Sequence, residues 1–165
     1  MKKTKQIITV SLFMLFTLIV SAQQFSKADQ SVIANYSITV EKINQYMLFE
    51  KGFGAAKAAE PKYVSLTPPR TLDEKINLLR QLPSFVRLVK STGSNFRDIT
   101  LTGTSLHILF AANDPKKQAN FKKMCDMGYV EKPSAEQMAF AEAHRTDMLQ
   151  WQKQIIEYGK AELSN

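Results

Sequence analysis

Helix start and stop signals recur along the second half of this chain, and they leave little room for any other kind of backbone. In Thr71-Leu72-Asp73-Glu74 a threonine oxygen can accept from a free amide three residues on while the glutamate reaches back, which is a capping box. Pro83 suits the first turn of a following helix, where a missing N–H costs nothing. Gly93 suits the left-handed residue that closes it. Ser94 is placed to cap the next segment, Asn113-Asp114-Pro115 to end it, and Gly128 to close a short basic helix running from Lys116 to Met127. Ser134-Ala135-Glu136-Gln137 reads as a second capping box, with one helix continuing from it to about Leu163 because no proline intervenes.

Apolar residues return at three- and four-residue steps between these signals. After a cap at Thr39 the step set is Val40, Ile43, Met47 and Phe49 or Phe53, with Gly52 and Gly54 weakening the far end before the linker EPKYVSLTPPR. Leu72, Ile76, Leu79 and Leu82 share a face, and Phe85, Val86, Leu88 and Val89 follow on the next helix. The segment NFRDITLTGTSLHILFAAN is the most apolar and reads as the central helix, with Phe96, Ile99, Leu106, Leu109 and Phe110 inward. The expectation is an all-α, single-domain bundle of about four main helices plus shorter ones, spanning residues 39–165.

The first residues carry Lys2, Lys3 and Lys5 ahead of an apolar run from Ile7 to Val20, then Ser21-Ala22-Gln23. That is the pattern of a secretory signal peptide, residues 1–22, cleaved after Ala22. The apolar run is shorter than the roughly 20 residues a spanning helix needs, which weighs against an uncleaved anchor. Residues 23–38 are polar and aperiodic and read as a flexible leader. The signal's three lysines supply three of the chain's seven net positive charges, so the excess that remains is ordinary for a soluble protein. Only Lys116, Lys117, Lys122 and Lys123 cluster, and a solvated helix face explains them better than nucleic acid. Cys125 is the single cysteine, which rules out an intramolecular disulfide and a haem held by paired cysteines. A buried, inert thiol is expected in a monomer, with a Cys125-linked dimer as the alternative.

No strong catalytic motif is present. There is no GxSxG elbow, and neither Gly52-Phe53-Gly54 nor Thr102-Gly103-Thr104 has the spacing of a phosphate loop. Asp73 and Glu74 are used at a helix start. Phe140, His144, Met148, Trp151, Ile155 and Tyr158 recur as one stripe, so His144 reads as a packed core histidine with Asp147 three residues on as its orienting partner. His107 is the other histidine. The two rings could meet if the central and final helices pack together, but a zinc site would still need a further ligand. Met124, Cys125 and Met127 form a soft-ligand group of the kind that suits monovalent copper, although methionine is also a routine core filler. His107, His144, Met124, Cys125 and Met127 are thus weak metal candidates, and no cofactor is implied.

Three stretches, KINQYMLFEK, STGSNFRDITLTGTSL and PSAEQMAFAEAHRTDM, together resemble small secreted helical proteins of Gram-negative bacteria that form an uncharacterised domain family. The resemblance points to Gly93, Arg97, Asp98, Phe140 and His144 and implies no activity. It makes Arg97 with Asp98 a candidate brace between helices. The ligand-binding candidates from sequence are His144, Arg97, Asp98 and Trp151. The expected role is periplasmic or secreted binding of a ligand or envelope protein without enzymatic activity. The alternatives are a chaperone or stress protein holding unfolded clients, and a small metal-binding protein or enzyme using His107 and His144.

Overall fold

The structure is a computed structural model that describes residues 25–61 and 69–162. The described residues form eight helices and no strand: α1 (Lys27–Ala34), α2 (Val40–Ala58), α3 (Leu72–Arg80), α4 (Pro83–Ser91), α5 (Phe96–Asn113), α6 (Gln118–Asp126), α7 (Ala135–Ala143) and α8 (Arg145–Glu162). The all-helical expectation is met. Three helices are long, at 18 or 19 residues, and the other five have eight or nine. No helix among the described residues is long and apolar enough to cross a membrane. Residues 1–22, which carry the signal peptide expectation, and most of the linker between α2 and α3 lie outside the described residues.

Most of the helix boundaries follow from the residues expected to set them. Thr39, Thr71 and Ser134 each accept from the amide three residues on. Pro83 opens α4, and both Gly93 (φ 72°) and Gly128 (φ 74°) occupy the left-handed region that L side chains avoid. One cap moves: Asn95, not Ser94, accepts from the Asp98 amide and starts α5. Another comes from far along the chain, because the N-cap of α4, Leu82, has no side-chain oxygen to offer. The Glu60 carboxylate accepts from Ser84 N–H at 2.8 Å in its place.

α2 lies against α4, α5 and α8, while α5 also meets α1, α3, α6 and α7. The larger core joins Ile43, Met47 and Phe49 of α2 to Phe85, Leu106, Leu109 and the Met148, Trp151 and Ile155 stripe of α8. A smaller core gathers Phe25, Ile33, Leu72, Ile76 and Leu101. α5 separates the two and is buried almost all round from Ile99 to Gly103, so it is the central helix that its composition suggests. Each fully buried large apolar side chain, such as Ile43 or Phe85, contributes about 1.5–3 kcal/mol.

Three sequence expectations give way. The stretch read as a flexible leader holds α1, and its Ile33 is buried between other helices. Its end is tied down by side chains from elsewhere: Ile33 C=O accepts from Ser105 Oγ (3.0 Å) and Gln137 Nε2 (2.8 Å), and Gln137 also donates to Tyr36 C=O (2.9 Å). Gln137 therefore does not complete a capping box at Ser134; it spends its amide on α1. The final helix is also two helices, α7 and α8, which break at His144 (φ −112°, ψ 30°) with no proline or glycine present. The His144 N–H closes α7 on Phe140 C=O, and the His144 carbonyl accepts from Met148 at the start of α8.

Candidate functional site

Helical register brings Thr100, Gly103, Thr104 and His107 onto one face of α5, at steps of three and four. Gly103 is required there by contact. A Cβ on it would lie 2.5 Å from Cε2 and 2.7 Å from Cζ of Tyr46, so the tyrosine ring rests directly on the α5 backbone. From that position the Tyr46 hydroxyl reaches His107 Nε2 at 3.2 Å, with the two rings edge-on at 88°. Tyr46 and Glu50 stand four residues apart on α2 and so share a face.

The electrostatics of this seam are those of a polar group set into apolar walls. Burial, reinforced by the Glu50 charge and a hydrogen bond to it, pushes the Tyr46 phenol well above its usual range. Burial lowers the Lys75 ammonium from α3, while the attraction of Glu50 opposes that shift; the Phe25 ring stands 5.9 Å from Nζ. His107 is depressed to about 4, first by desolvation and then by Lys75 and Lys117. Lys117 is itself held by Asp114 at 3.3 Å. Glu50, Tyr46, Lys75 and His107 thus form one coupled set drawn from α2, α3 and α5.

Thr100 Oγ1, two turns before His107 on the same α5 face, is buried and has no hydrogen-bond partner within the protein. A buried hydroxyl left unpaired costs on the order of 1–3 kcal/mol, which a native chain tolerates where something else supplies the partner. The charged and polar set lies toward the His107 end of this α5 face, and the hydroxyl two turns before it.

The residues singled out from sequence fall elsewhere. His144 is not buried in the core; its side chain is 32% exposed at the α7–α8 break. Its Nδ1 does meet Asp147 Oδ2, at 3.2 Å, and its ring lies 4.5 Å from Phe140 and 6.3 Å from Trp151. Trp151 itself is a buried member of the larger core. The expected Arg97–Asp98 brace divides. Asp98 accepts from Tyr36 at 2.7 Å and from Asn95 at 2.6 Å, tying the segment after α1 to α5. Arg97 points outward, 52% exposed and 3.7 Å from an 81%-exposed Asp73, a pairing worth little.

His107 and His144 keep separate partners, Tyr46 and Phe110 for one, Phe140, Asp147 and Trp151 for the other. Among the described residues no group of three or more His, Cys, Asp or Glu side chains is placed to hold a metal ion. Cys125 is half-buried rather than buried, with its thiol pushed up by desolvation. Met124 beside it is half-buried and Met127 is exposed, on a helix with no buried residue.

Sequence reasoning passed over Tyr46, Glu50, Lys75 and Thr100. The signal that could have found part of the set was the Thr100, Gly103, His107 spacing opposite a Tyr-x-x-x-Glu pair. Comparison with family models finds no match, and neither curated proteins nor solved structures yield a similar one.

Proposed function

We propose that this chain is a small binding protein without enzymatic activity, and that its ligand is a small polar molecule held between α2, α3 and α5. The observation that carries the reading is the Tyr46–His107 contact at 3.2 Å, with Thr100 Oγ1, buried without a partner inside the protein, two turns back on the same α5 face. Tyr46, Glu50, Lys75 and His107 provide the surrounding donors and acceptors. We further propose that the protein is exported through a signal peptide cleaved after Ala22, works as a monomer in the periplasm or outside the cell, and belongs with the small secreted helical proteins of unknown function that it resembles. Neither nucleic acid nor a stable membrane insertion enters this reading.

The test is a native mass spectrum of the protein purified from its own envelope fraction without chelator or reductant. Added mass that leaves on denaturation, and that Thr100→Val loses, supports the reading. Bare protein from that fraction, or added mass that Thr100→Val and Tyr46→Phe both retain, overturns it.

A second reading, holding of unfolded clients, draws on a different observation. α2 and α8 pack together and expose Val40, Leu48, Leu149 and Ile156 to solvent, the last two a helical repeat apart on α8. Suppression of aggregation of a reduced client protein, lost in Leu48→Ser/Leu149→Ser, would favour it.

A further inference from the structure

We propose that Lys75, Glu50, Tyr46 and His107 form a proton-linked joint: when His107 takes up a proton in acid, the seam between α2 and α5 over Gly103 loosens. What the joint would regulate, release of the molecule held there, rests on the binding reading above; the joint itself does not.

A carboxylate can only accept, so the Tyr46 hydroxyl spends its one proton on Glu50 and has a lone pair left for His107. His107 then donates from Nε2, across the 3.2 Å contact, and its Nδ1 is the atom open to a proton. Protonation adds a second cation to a cluster already holding Lys75 against the single charge of Glu50. The groups that act on the ring are Tyr46 from α2, with Glu50 bonded behind it, Lys75 from α3, and Lys117 from the turn after α5, which Asp114 pairs. No further anion is supplied to the new imidazolium, and its desolvation resists the charge.

The seam is where that cost would be relieved. Tyr46 sits against the backbone of Gly103, with no side chain between to hold the helices at a second distance. Withdrawal of the ring would open His107, half-buried in the closed form, further to water. The sign follows from the direction of the shift. His107 is depressed from 6.5 to about 4, so the closed form is fully favoured above about 6.5 and loses ground as pH falls toward 4.

Hydrogen exchange followed by mass spectrometry between pH 7 and pH 4, with rates corrected for the intrinsic effect of pH, tests this on the purified protein. The expected result is a loss of protection in α2 and α5 of about tenfold or more, with α8 changing less. In His107→Gln the loss should vanish. Should that variant fail to fold, Lys75→Met gives a second arm: with one cation removed, the acid-induced loss should shrink. An equal loss in His107→Gln, or an undiminished one in Lys75→Met, overturns the proposal. Since these readouts need no ligand, a bare native mass spectrum would remove the binding reading and leave the joint standing.

Discussion

The chain's two histidines occupy opposite settings, and neither setting is the one its sequence neighbours suggest. His144 lies on an apolar stripe by spacing, yet it sits at a helix break, a third exposed, beside the Asp147 carboxylate. His107 lies between Leu106 and Ile108, yet it faces a tyrosine and is depressed by burial and two lysines. Spacing along one helix says which residues share a face. It does not say whether that face continues through the next turn, nor what the neighbouring helix brings to it.

The sharpest way to break the contrast is at the contact that creates the His107 setting. Gly103→Ala would drive a methyl into the buried Tyr46 ring. An overpacking cost of about 3 kcal/mol is expected, only partly offset by about 1 kcal/mol of helix propensity. Chemical denaturation would read this as a lower midpoint, and a Tyr46→Leu background should relieve much of it. Next in size is pH. The depression of His107 to about 4 corresponds to about 3 kcal/mol at most, and about 2 kcal/mol after allowing for partial solvent access to the ring. That stability is present above about pH 6.5 and should be lost by pH 4, in denaturation curves of the wild type and of His144→Gln but not of His107→Gln.

Smaller effects sharpen the same comparison. Thr100→Val removes the orphan hydroxyl at nearly constant volume and should stabilise the ligand-free protein by about 1 kcal/mol, seen as a higher melting temperature. A fall in melting temperature would mean that the hydroxyl is satisfied. Asp147→Asn leaves the ring of His144 packed on Phe140 but takes away the charge beside it. At 53% exposure of the carboxylate the change should be within about 0.5 kcal/mol.

Much of the fold was legible because local chemistry decides it. Thr39, Thr71, Pro83, Gly93, Gly128 and Ser134 act through their own backbone or through amides three residues on, and each does what its type predicts. The parts that escaped depend on distant partners. α1 is too short and polar to be foreseen, and it is held by Gln137 and Ser105, far along the chain. Gln137 looked like half of a capping box because its spacing is right, but two carbonyls of the α1 segment claim its amide instead. The break at His144 has no proline or glycine to announce it; on its two sides α7 is tied to α1 through Gln137 and α8 lies on α2. The candidate site escaped for the same reason, since Tyr46, Lys75 and His107 belong to three helices whose juxtaposition only the packing reveals.

The account turns on His107 being a desolvated imidazole coupled to Tyr46 and Lys75, and its protonation can be followed directly. Proton NMR of the imidazole resonances against pH, with His144→Gln to assign the two rings, measures it. A midpoint near 4 for His107, moving upward in Lys75→Met, is the result the account requires. A midpoint near the ordinary 6.5, unmoved by that substitution, would contradict it.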